Sequence, residues 1–153
     1  MTTKEIQKAI AKMQVLKFHP IVCENIIPLY KWEMDVMSIS KSSMMYEFEV
    51  KVSRGDFKAD FKKRKGDYDG TVLCPNYFSY VCPLNLISLD EINLKYGLYY
   101  IDNEQIIEIR KPKILHCGIH NKQKILEKVL RLHQERMYLG CARMTYNNKN
   151  KFV

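Results

Sequence analysis

KWEMDVMSISKSSMMYEFEVKVSRGDFKADFKKRK, residues 31–65, is the stretch whose reading decides the fold. Trp32 to Ile39 and Met44 to Val52 are apolar, aromatic or β-branched at alternate positions and read as strands. Lys41-Ser42-Ser43 between them has turn composition, so the two strands form a hairpin. Ser53 follows as the cap of a helix from about Gly55 to Lys65, with Asp56 at the third position in the manner of a capping box. Phe57 and Phe61 lie one helical turn apart and turn one side of that helix toward a core.

Upstream, Thr2 or Thr3 caps a helix running to about Lys17, whose apolar stripe is Ile6, Ile10, Met13 and Val15 to Leu16. His19-Pro20 ends it, because a residue before proline avoids the helical region. Ile21 to Leu29 reads as extended. Downstream, Gly66 to Gly70 is a loop, Asn76 to Val81 a strand and Leu89 to Lys95 a short helix. Gly97 to Ile101 and Gln105 to Arg110 flank Asp102-Asn103-Glu104 and predict a second hairpin. Asn121 caps a last helix to about Tyr138, with Ile125, Val129 and Leu132 on one side, and a polar, frayed tail follows from Gly140. A hairpin feeding a strand–helix–strand crossover predicts an α/β fold, a mixed β-sheet with helices on its faces.

The length of 153 residues fits a single domain, with its core at about 4–110 and the last helix at about 121–138. The chain is 46% apolar and 27% charged, the balance of a globular protein. No apolar run approaches the roughly 20 residues of a membrane span, and MTTKEIQKAI is no secretory leader. The expectation is therefore a cytoplasmic protein that does not enter membranes. The five cysteines are odd in number and form no C-x-x-C, which suits reduced thiols. His116, Cys117 and His120 match zinc spacings only loosely, and Gly118 among them reads as a turn leading into the last helix.

The net charge of +8 is concentrated. Val52 to Lys65 carries a net +4 and Lys111 to Arg136 a net +5, on a remainder of −1. Two basic segments on a near-neutral body are a footprint for a polyanion, where solvated helix faces are the ordinary alternative.

The carboxylates carry the chemistry. With side chains alternating along a strand, Glu47, Glu49 and Lys51 share one face, and Phe48, Val50 and Val52 the other. On the preceding strand Glu33 and Asp35 oppose Trp32, Met34 and Val36. Pairing as a hairpin brings Asp35 and Glu49 side by side. Adjacent carboxylates repel, and a divalent cation with hard oxygen ligands is one reason to keep them together. An exposed sheet face with Glu–Lys pairs is the other reading, and spacing alone leaves both open.

The run D-(x13)-E-V-K, here Asp35, Glu49 and Lys51, resembles the PD-(D/E)XK nuclease superfamily. YEFEVKVSRGDFKAD, followed by NYFSYVCP, is similar to the bacterial and phage branch that contains the MmcB-like DNA repair proteins. The resemblance covers about Lys4 to Pro83. It implies a restriction-endonuclease-like core in the order helix, three strands, helix, strand. It also implies Mg²⁺ or Mn²⁺ held by Asp35, Glu49 and the Val50 carbonyl, with Lys51 assisting the attacking water. Met34 stands where the motif has its proline, a departure frequent in the superfamily. In the superfamily an acid from the first helix sometimes completes the site, for which Glu5 and Glu24 are the candidates, while Asp56 and Asp60 read as serving the cap and dipole of the second helix, with a direct catalytic role as the alternative.

The expected function is a metal-dependent deoxyribonuclease acting in DNA repair, recombination or phage DNA processing. Arg54, Lys58, Lys62 and Lys63 are its expected phosphate contacts, DNA its partner, and a homodimer a candidate assembly. The rival is a nucleic-acid-binding module with the same fold and no turnover.

Overall fold

The structure is a computed structural model and describes residues 1–28, 32–62 and 75–139. The expected loop at Gly66 to Gly70, the tail from Gly140, Lys63, Cys74 and Cys141 lie outside the described residues, as do the side chains of Phe61 and Lys62.

Helix α1 spans Thr3–Leu16. Its start is a complete capping box: the Glu5 N–H donates to Thr2 Oγ1, and the Thr2 N–H donates to the Glu5 carboxylate at 2.7 Å. Strands β1 (Ile21–Ile26), β2 (Met34–Ile39) and β3 (Met45–Val50) follow, then α2 (Arg54–Lys62), β4 (Tyr77–Pro83), β5 (Gly97–Asp102), β6 (Gln105–Arg110) and α3 (Lys122–Tyr138). Ser53 Oγ accepts the Asp56 N–H at 3.1 Å, and Asn121 Oδ1 accepts the Lys124 N–H at 3.0 Å, so both expected caps form. The hairpin of β5 and β6 turns on Asn103 and Glu104, both at positive φ as a tight two-residue turn requires.

The strands lie in one sheet in sequence order, β1 to β6. β1, β2 and β3 pair antiparallel, β3 to β4 and β4 to β5 parallel, and β5 to β6 antiparallel. The fold is α/β, a six-stranded mixed sheet flanked by helices.

Apolar packing assigns the faces. Ile6 and Ile10 of α1 bury against Val36, Phe48, Val50, Val81, Tyr99 and Ile101. Phe57 of α2, 1% exposed, packs with Phe78, Tyr80, Cys82, Leu98 and Tyr100, whose strand positions alternate with the first set. Burying one such ring contributes about 1.5–3 kcal/mol and fixes which side of α2 looks inward. Ile125 of α3 joins a third cluster with Met34, Met37, Ile39 and Met45.

Several expectations change. The short helix expected from Leu89 to Lys95 is a single 3₁₀ turn, Leu89–Glu91. Val15 and Leu16 are exposed, and the inner side of α1 instead buries Gln7 and Gln14. Val52 lies beyond the end of β3 and is exposed. Among the described residues no helix is long and apolar enough to cross a membrane.

Candidate active site

The second sheet face holds the charged row. Glu47, Glu49 and Lys51 are 0, 4 and 3% exposed, so the row is not an exposed sheet face. Its neighbours across β4 are aromatic: Phe78 pairs with Glu47 and Tyr80 with Glu49. Lys51 Nζ donates to Glu49 Oε1 at 2.9 Å and to Asp60 Oδ1 at 2.8 Å, and Asp56 Oδ1 lies 3.8 Å away. Burial opposes the charge on Lys51, but the Glu49 and Asp60 carboxylates outweigh it and hold the ammonium above the ordinary lysine value. Burial and the same two carboxylates push the Tyr80 phenol far up, so it stays protonated.

Asp35 sits where β2 and β3 part. Val36 pairs with Phe48 in the ladder, and just beyond that pair Val50 donates its N–H to Asp35 Oδ2 at 2.8 Å. The aspartate thereby bonds the residue between Glu49 and Lys51. The N–H and C=O of one strand residue point to the same side, so the Val50 carbonyl also looks toward the β2 side. On β1, Asn25 takes φ 50 opposite this position. Gln7 Nε2 of α1 bridges Asn25 Oδ1 at 2.8 Å and Asp35 Oδ1 at 3.4 Å.

The first helix therefore supplies an amide to Asp35, not an acid. Glu5 is the capping-box partner of Thr2, and Glu24 belongs to β1, where Arg136 donates to its carbonyl. Gln7 had one sequence signal: it belongs to the helical spacing Ile6, Gln7, Ile10, Gln14 that is buried. Asp60, expected to serve the cap and dipole of α2, has another place. It is 2% exposed and lies beyond the first turn of α2, so it neither caps the helix nor sits at the end where the dipole favours an acid.

The remaining candidates sit around this centre. Trp32 Nε1 donates to Glu47 at 3.3 Å, and Glu33 is exposed. Arg54 is committed to the 3₁₀ turn: its guanidinium bonds Glu91 and the Leu86 carbonyl, and it holds the Glu91 carboxyl down at about 2. Lys58 is exposed on α2, as expected. In the second basic segment Lys122 and Lys128 donate to the carbonyls of Lys41 and Pro28, so two of its cations fasten α3 beside the sheet. The loop before α3 is tied down by Asn76, whose side chain donates to the His116 and Gly118 carbonyls and accepts the Met45 N–H.

Among the described residues no group of three or more His, Cys, Asp and Glu is arranged to hold a metal, at His116, Cys117 and His120 or elsewhere. A Mg²⁺ ion needs only one or two carboxylates besides carbonyl, water and phosphate oxygens. Asp35, Glu49 and the Val50 carbonyl are hard oxygen donors at one strand junction. Asp60 Oδ2 is buried with no hydrogen-bond partner, so the surrounding acids exceed what Lys51 satisfies. That donor chemistry fits a small divalent cation.

No family model matches the sequence. No curated protein matches it either. Among solved structures the chain is similar to the SPO1766 protein of unknown function from Silicibacter pomeroyi, with a TM-score of 0.69 at 15% identity over 95% of this chain and 97% of that one. At this identity the likeness establishes the fold.

Proposed function

We propose that this chain is a Mg²⁺- or Mn²⁺-dependent deoxyribonuclease with a restriction-endonuclease-like core. The observation that carries the reading is the Val50 N–H bond to Asp35 Oδ2, which joins the aspartate to the Glu49-Val50-Lys51 triplet. The chain order α–β–β–β–α–β, with an antiparallel β1–β3 meander and β4 parallel to β3, supports it.

In this reading Asp35, Glu49 and the Val50 carbonyl hold the cation. The bound cation supplies Lewis acidity at the phosphate and lowers the pKa of a bound water. Lys51 orients that water and meets the charge that develops on the attacked phosphate. Lys58, followed by Lys62 and Lys63, binds backbone phosphates, which positions a strand without reading its sequence. Arg54 enters the reading already bonded to Glu91, so it serves the fold before it serves DNA. The setting is DNA repair, recombination or phage DNA processing in the cytoplasm, with 5′-phosphate products.

A second reading, a nucleic-acid-binding module without turnover, is favoured by one observation: both oxygens of Asp35 accept internal N–H groups. Incubating the purified chain with single-stranded, duplex and branched DNA, with EDTA, Mg²⁺ or Mn²⁺, separates the two. Cleavage that needs metal and disappears in Asp35→Asn and Glu49→Gln is the expected result. Metal that alters affinity alone, with every DNA intact, overturns the nuclease.

A further inference from the structure

Asp60 has no role in α2 itself. Aspartate is a poor helix former in a helix interior, and beyond the first turn the dipole gives a carboxylate no support. Yet the side chain is 2% exposed, with Oδ1 at 2.8 Å from Lys51 Nζ and Oδ2 buried and unpartnered. A half-satisfied buried carboxylate is a cost to the fold that calls for an explanation.

We propose that Asp60 is a positioning residue for Lys51, holding its ammonium in place when Glu49 is engaged by a divalent cation. The inference rests on the nuclease reading. Lys51 has three N–H donors, and in this structure Glu49 takes one and Asp60 another. Once Glu49 shares its charge with a cation, its pull on the ammonium weakens, and a flexible four-carbon stem lets the ammonium swing away. Glu49 and Lys51 both belong to the β3 run, whereas Asp60 stands on α2, so its hold is independent of what Glu49 binds. Its vacant Oδ2 is there to accept the donor that Glu49 gives up. Asp56, one turn earlier on the same side of α2 and 3.8 Å from the ammonium, adds charge without a bond.

The test is nuclear magnetic resonance of the full chain carrying ¹⁵N-lysine, following the ordered Lys51 ammonium signal during addition of MgCl₂. The signal is assigned by its loss in Lys51→Arg. In the wild type it persists to saturation. In Asp60→Asn it is present without metal and lost with it, while in Glu49→Gln it is indifferent to metal. Single-turnover cleavage supplies the second readout. Asp60→Asn lowers the rate on bound DNA tenfold or more with DNA affinity unchanged, and lowers it no further in a Lys51→Met background. Should Asp60→Asn fail to fold, Asp60→Ser takes its place with the same expected outcomes. An ammonium signal that survives Mg²⁺ in the variant, in a chain that binds Mg²⁺ and cuts DNA, overturns this proposal alone. So does an equal rate loss in the wild-type and Lys51→Met backgrounds, which marks a merely structural residue. A wild-type chain whose Asp35 and Glu49 carboxylate resonances ignore Mg²⁺ overturns the metal reading, and this proposal with it.

Discussion

Replacing Lys51 by Met removes one charge and leaves the volume of the stem nearly intact. The side chains of Lys51, Glu49 and Asp60 are 4, 6 and 2% exposed, and the ammonium lies 2.9 and 2.8 Å from the two carboxylates. Each pair belongs to the class in which removing one partner strands a buried charge, at a cost of about 3–5 kcal/mol. Coulomb's law supports that size: at an effective permittivity near 20, unit charges about 4 Å apart interact by about 4 kcal/mol. Because Met fills the lysine stem's space, no cavity term adds to it. Lys51→Met is therefore expected to destabilise the chain by about 3–5 kcal/mol, and in a chain of this size the thermal midpoint falls by roughly 6–20 °C.

Urea unfolding at pH 7 measures this directly, with a lower midpoint and an unchanged slope. The pH dependence has a definite sign. The Lys51 ammonium is held above its unfolded value of 10.5, so its contribution is fully present below pH 10.5 and is lost as pH rises through the higher folded value. The wild type thus loses stability in that alkaline window, and Lys51→Met does not. Adding Asp60→Asn to Lys51→Met restores part of the loss, because it removes one of the stranded charges. A cost below about 1 kcal/mol, the range of solvent-exposed pairs, would show that the ammonium is not confined between the two acids, and the reasoning would fail.

Asp35→Asn and Glu49→Gln each abolish cleavage and remove the rise in thermal midpoint that Mg²⁺ or Mn²⁺ gives the wild type; equal metal stabilisation in all three chains refutes the assignment of the ligands. Neutralising Lys58, Lys62 and Lys63 weakens binding to every duplex sequence alike and reduces the slope of log affinity against log salt by roughly 0.9 for each DNA phosphate that the variant no longer neutralises. An unchanged slope in that triple variant moves the footprint to Lys111–Arg136. Gly97→Ala places a methyl group against Ser79 Oγ and 2.9 Å from Pro112 Cδ, and costs about 1–3 kcal/mol in urea unfolding as an overpacked site.

What the sequence determined by itself is local. Thr2, Ser53 and Asn121 each bond an N–H three residues ahead, and Asn103-Glu104 turns between adjacent strands, so the signal and its partner lie within one window. The short turn at Lys41 to Ser43 sets the β2–β3 register up to the Val36–Phe48 pair, next to Asp35 and Glu49, and period-two alternation groups Glu49 with Lys51. Element order was legible for the same reason.

Only the tertiary structure decided what lies against each of these residues. Gln7 lies beside Ile6 on the inner side of α1, but its partners Asn25, 18 positions later, and Asp35, 28 later, come only with the fold. Arg54 reads as a phosphate contact, and only the tertiary structure gives its guanidinium a partner in Glu91, 37 residues on. Asp60 reads as serving the cap and dipole of α2, and becomes a partner of Lys51 because Phe57 turns that side of α2 onto the sheet. The same packing converts Glu47, Glu49 and Lys51 from an ordinary polar strand face into a buried charged row. A carboxylate's sequence neighbours record its propensities. Its desolvation and its charge partners are set by segments far along the chain, and those two quantities distinguish a candidate active site from a solvated surface.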